Sequence, residues 1–123
     1  VLQMAVLEKR GGIRLGECDV YINVVGGLSL DEPAADLPVV LAAASSYRER
    51  PIDNATAAIG EVGLTGEVRA VAFLEQRLQE LVRLGFRRVL IPAQGTAKLL
   101  APGGMTLLRV RTIGEAIGAA MDS

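Results

Sequence analysis

Hydrophobic and polar positions recur along the chain with periods that divide it into helices and strands. Residues 1–10 carry apolar side chains at Val1, Leu2, Ala5 and Val6 and end in Glu8, Lys9 and Arg10. That spacing predicts a short helix with basic residues at its C-terminal end, stopped by Gly11-Gly12. Between 18 and 25, Val20, Ile22 and Val24 fall on one face and Asp19, Tyr21 and Asn23 on the other, the period of a strand, ended by Gly26-Gly27. From Ala35 to Tyr47 the chain is almost entirely apolar and reads as a buried helix. Pro38 fits its first turn if Asp36 caps it, because first-turn amides have no acceptor within the helix. Pro51 is expected to close the segment.

Residues 55–71 hold two short strand-like runs around a turn at Gly63-Leu64-Thr65-Gly66. Leu74, Leu78, Leu81 and Val82 then share one helical face opposite Glu75, Gln76, Gln79, Glu80 and Arg83, with Gly85 as the stop. Arg88 to Pro92 reads as a short buried strand and Leu107 to Val110 as another. The helix after Thr112 places Ile113, Ala116, Ile117, Ala120 and Met121 at core spacing. Thr112 and Glu115 have the spacing of a capping box. This mixed order predicts a single α/β (α+β) domain over 1–123.

Composition narrows the chemistry. The 123 residues carry a formal net charge of −1, so any contact with a polyanion has to come from a local patch. Eleven of the thirteen basic residues are arginine, which suits planar, bidentate phosphate contacts and interface ion pairs. With no histidine, imidazole acid–base chemistry and His-ligated metal sites are excluded. The single Cys18 excludes an internal disulfide and fits a reducing compartment. No apolar run is long enough to span a bilayer, and no secretory leader opens the chain, so a cytoplasmic protein without membrane contact is expected. The chain starts in mid-pattern at Val1-Leu2-Gln3-Met4 and reads as a fragment of something longer. There is no phosphate-binding G-x-x-x-x-G-K-[ST] loop and no C-x-x-C pair. Scattered carboxylates such as Asp31, Glu61 and Glu67 read as caps and ion-pair partners.

Longer strings carry a resemblance. Gly60-Glu61-Val62-Gly63-Leu64-Thr65-Gly66-Glu67-Val68, then Leu74-Glu75-Gln76-Arg77, then Gly85-Phe86-Arg87-Arg88-Val89-Leu90-Ile91-Pro92, resemble successive motifs of Lon-type proteases in the same order. Asp19 to Gly27, Ala34-Ala35-Asp36-Leu37 and Ser45-Ser46-Tyr47-Arg48-Glu49-Arg50-Pro51 are closer still to the C-terminal domain of the RadA (Sms) family of DNA-repair ATPases. The resemblance implies a Lon-protease-like fold of the ribosomal-protein-S5-domain-2-like type. It implies a longer parent chain with a zinc finger and a RecA-like ATPase, hence Zn, ATP and Mg in the parent and no cofactor in this fragment. It also implies a homo-hexameric ring that works on DNA, with the recombination machinery as further partners.

At the position of the Lon nucleophile stands Ala34, and at that of the general-base lysine stands Glu75. A methyl group and a carboxylate cannot form a Ser–Lys dyad, so the fragment is expected not to be an enzyme. Arg48, Arg50, Arg69, Arg87 and Arg88 are the expected DNA contacts. Two alternatives stand beside this reading: a Ser–Lys protease with a displaced dyad, and an oligomerisation module without DNA contact.

Overall fold

The structure, a computed structural model, describes residues 33–53 and 55–121. The helix expected over 1–10 and the strand expected over 18–25 lie outside the described residues, as do Cys18 and Asp31. A 3-10 turn, Pro33–Ala35, leads into α1 (Asp36–Arg48). There follow β1 (Thr56–Ala58), a hairpin of β2 (Glu61–Val62) and β3 (Val68–Arg69), and α2 (Leu74–Arg83). The chain continues through β4 (Arg88–Pro92), β5 (Thr106–Val110) and α3 (Ile113–Met121). Strands β1, β4 and β5 form a parallel sheet in that order, with Thr56 opposite Arg88 and Arg88 opposite Thr106; the hairpin is a separate antiparallel pair. The domain is α/β, as its sequence order predicts.

Alternate side chains of an extended strand project to opposite faces, and the sheet uses both. Ala57, Val89 and Ile91 enter one core cluster with Leu78 and Leu81 of α2. Ala58, Leu90 and Val110 enter another with Leu37 and Leu41 of α1 and Ala116 and Ala120 of α3. The clusters are almost wholly aliphatic. The crossover from β4 to β5 has no α-helix; Arg109 supports it instead, donating to the carbonyls of Thr96 (3.0 Å) and Leu99 (2.8 Å).

Local signals and tertiary contacts share control of the helix ends. After α2, Gly85 takes φ 94°, its amide bonds the Val82 carbonyl (3.0 Å), and the Phe86 amide bonds that of Leu81 (3.0 Å). This is the two-bond glycine stop that the sequence predicts. At α3 the Glu115 amide donates to Thr112 Oγ1 (3.1 Å), but the Glu115 carboxylate turns one residue further back, to the Arg111 amide (2.7 Å). Three expectations for α1 need correction. Asp36 does not cap it: the carboxylate accepts the Val62 amide (3.0 Å), while the first-turn amide of Leu37 donates to the Gly60 carbonyl (2.9 Å). The helix stops before Pro51, at Glu49, which takes the left-handed conformation (φ 53°) and donates back to Ser46. Nor is it buried all round: Leu37, Leu41 and Ser45 face the core with Pro38, Ala42 and Ser46, whereas Tyr47 is 91% exposed.

Candidate functional site

Ala34 and Glu75, the positions that the resemblance sets against a Ser–Lys dyad, come first. Ala34 lies in the 3-10 turn with 0% exposure, in the cluster that holds Leu78 and Leu81, and its carbonyl accepts the Gly60 amide (3.1 Å). Glu75 is exposed in the first turn of α2, on a groove shared with Gln79 and Lys98. One position is sealed and the other open. Between them they offer no hydroxyl and no amine.

Three of the five expected arginines, Arg50, Arg87 and Arg88, are tied to the end of the sheet where β4 begins, and Arg48 lies two residues before Arg50. The Ala55 carbonyl accepts the amides of Arg87 (2.9 Å) and Arg88 (3.1 Å), fixing both at that end. Arg88 Nη2 then donates to the Ala119 carbonyl (3.3 Å), and Arg50 Nη2 to that of Met121 (2.9 Å). Both cations thus close the C-terminal turn of α3, where unpaired carbonyls and the helix dipole favour positive charge. Arg50 is presented by the turn that ends α1, where its amide donates to the Ser45 carbonyl (3.1 Å). Arg48, the last residue of α1, and Arg87 are exposed and make no side-chain hydrogen bond to any described residue.

Arg69 is elsewhere. It stands opposite Glu61 in the hairpin, near the far end of β4, which is about 13 Å long at roughly 3.3 Å per residue. Its Nε (3.1 Å) and Nη2 (2.7 Å) both bond the Glu67 carboxylate. The Thr65 hydroxyl above all, followed by the Glu67 backbone amide and the Arg69 guanidinium, lowers the Glu67 pKa to about 2. Arg69 is therefore charge-compensated at any ordinary pH. A groove joins it to Gln94 and Arg111.

Arg109 and Arg111 were not among the expected residues. Arg109 is structural, whereas the Arg111 side chain has no partner among the described residues. Their spacing of two, which puts both on one side of an extended segment, was the available signal. Among the described residues there is no cluster of three or more potential metal-ligating side chains, and no helix is long and apolar enough to cross a membrane.

Known proteins supply the context. The DNA repair protein RadA of Listeria monocytogenes is 48% identical over 120 residues, which is 98% of this chain and 26% of that protein. RadA of Bacillus subtilis is 49% identical over 116 residues, 94% of this chain and 25% of that protein. RadA of Streptococcus pyogenes serotype M1 is 46% identical over 118 residues, 96% of this chain and 26% of that protein. The likeness to RadA proteins read from the sequence is met, and the chain spans about a quarter of the length of the curated relatives it matches. A family model described as subunit ChlI of Mg-chelatase matches residues 3–95, a stretch that runs from before Ala34 to beyond the end of β4. The chain belongs to that family, the ChlI family of the Mg-chelatase subunit.

Proposed function

We propose that this chain is a non-proteolytic, Lon-protease-like domain of a RadA-type DNA repair protein, and that it contributes ring assembly and DNA binding. The observation that carries this reading is the match of nearly the whole chain to RadA proteins at close to half identity. The motor chemistry, with its ATP, Mg and Zn, belongs in this reading to other parts of the parent chain, and the setting is cytoplasmic.

Loss of proteolysis is supported by the chemistry of the two dyad positions. A methyl side chain without solvent contact cannot attack a peptide carbonyl, and a carboxylate in an exposed helical turn cannot serve as a neutral amine base. Peptide hydrolysis by the unmodified chain without ATP would overturn this part and favour the displaced-dyad protease.

The arginines divide the DNA role. Arg48 and Arg87 are the proposed phosphate contacts because their guanidinium groups are exposed and uncommitted. Arg50 and Arg88 are their near neighbours in the chain and are held by the carbonyls of Met121 and Ala119. Arg69, tied to Glu67, contributes least. Phosphate contacts release counterions, so Arg48→Ala or Arg87→Ala in the full-length protein should weaken binding to all sequences alike. Each should also lower the salt slope by about 1 per copy engaged. If both variants stay hexameric and bind DNA like the parent, the domain is an oligomerisation module without DNA contact.

A further inference from the structure

Strand β5 is an edge of the described sheet, and along one side its main chain pairs with no strand among the described residues. In a parallel ladder, alternate residues of a strand bond to the same neighbour. The Thr106 amide donates to the Arg87 carbonyl (2.8 Å), and the Val110 carbonyl accepts the Ala93 amide (2.9 Å). Those two bonds set the phase. Thr106, Leu108 and Val110 turn their main-chain groups to β4; Leu107 and Arg109 turn theirs outward, where no described strand pairs with them.

The hairpin stops short of covering this edge. Just beyond β5 the Arg111 carbonyl does have an outer neighbour, the Val68 amide (2.8 Å). The chain then departs, and the Ala70 amide goes to the Gln94 side chain (3.1 Å) instead of to β5. Beside Leu107 and Arg109 runs a groove of about 590 Å³, walled by Ala97 of the crossover loop and Ala119 of α3. Such a slot between small side chains, with four outward main-chain groups along its floor, has the form of a strand-addition site.

Charge selects the occupant. Among the described residues, Arg109 is hydrogen-bonded only to neutral carbonyls, the Arg111 side chain has no partner, and Glu115 is the one carboxylate on the groove. A second copy fits this poorly: two β5 strands paired antiparallel about Leu108 would set two Arg109 guanidinium groups on diagonal positions, a like-charge pair. We propose that β5 receives an extended acidic–apolar peptide of a partner protein, which adds as a strand on Leu107 and Arg109 and sets a carboxylate against Arg111.

The probe is an array of seven-residue peptides of alternating valine and threonine, with one Asp or one Lys walked along them, applied to the 123-residue chain. Asp-bearing peptides should bind at least tenfold more tightly than their Lys counterparts. The Leu107 and Arg109 amides should then exchange hydrogen more slowly. Arg111→Gln should erase the Asp preference. Ala97→Trp, which fills the slot, should abolish binding while the melting temperature stays within a few degrees. If Ala97→Trp fails to fold, Leu107→Pro serves in its place, because proline on the outward phase of an edge strand deletes an unused amide and spares the bonds to β4. Absence of binding across the array, or binding without protection at Leu107 and Arg109, would overturn the proposal. So would self-association that Ala97→Trp or Leu107→Pro removes, since that would assign the edge to a second copy.

Discussion

Where β4 begins, arginines bond to neutral carbonyl oxygens; near its end, an arginine bonds to a carboxylate. Arg50 and Arg88 close the last turn of α3, and Arg87 beside them is exposed with no side-chain bond to a described residue. Arg69 makes two bonds to one Glu67 carboxylate oxygen, and the pair presents almost no net charge. The difference between Arg87 and Arg69 teaches that commitment to a carboxylate, more than clustering in the sequence, decides whether an arginine can attract a polyanion. A carbonyl positions the cation, whereas a carboxylate also cancels it.

Mutations can break this comparison at each end. The largest expected effect is on stability at the α3 clamp. Hydrogen bonds to charged donors contribute about 1.5–3 kcal/mol, and partly exposed ones fall towards the lower figure. Arg50→Ala and Arg88→Ala should each lower the melting temperature by roughly 4–8 °C, and the double variant by more. Calorimetry showing no change in either would remove the clamp. Next come Arg48→Ala and Arg87→Ala, expected to leave stability within about 0.5 kcal/mol, as surface changes do, while reducing DNA affinity and its salt dependence. A melting temperature lowered as much as in the clamp variants would give these side chains a structural role instead.

A smaller effect is expected where charge is cancelled. Glu67→Gln leaves Arg69 uncompensated, so DNA affinity should rise slightly and more at low salt than at high. Unchanged affinity would place Arg69 outside the DNA surface altogether. The smallest is a pH effect. Because the Glu67 pKa falls from the ordinary 4.5 to about 2, its contribution to stability is complete above 4.5. It is lost as pH falls from there through about 2. The stability difference between the parent and Glu67→Gln should therefore be constant near neutrality and shrink across that acid window, which thermal melts at stepped pH would show.

Much of the fold was legible because its signals are local. The Gly85 stop, the Thr112 cap, the Gly63–Gly66 turn and the apolar face of α2 all depend on residues within one or two turns of each other. Asp36 was misread for the opposite reason: its partner, the Val62 amide, lies 26 residues away. The left-handed residues Glu49 and Phe73 carry no side-chain signature, since glycine or asparagine is the usual occupant of such positions. The candidate site was legible as a set of residue types but not as an arrangement. Nothing in the strings around Arg50 and Arg88 announces that both reach α3, and nothing near Arg69 in the sequence separates it from them except Glu67, two positions back. The free outer phase of β5 could not be read at all, because it depends on where β3 turns away.

The clamp at α3 also imposes an order of events during synthesis. Arg50 finds its acceptor 71 residues further along the chain. At about 5–20 residues per second, a ribosome needs roughly 4–14 seconds to supply that acceptor. In the interval the turn after α1 is held by its own bonds, from Glu49 to Ser46 and from Arg50 to Ser45, which can form as soon as those residues emerge. The carbonyls of α3 that join the turn after α1 to the start of β4 are thus among the last groups the ribosome supplies.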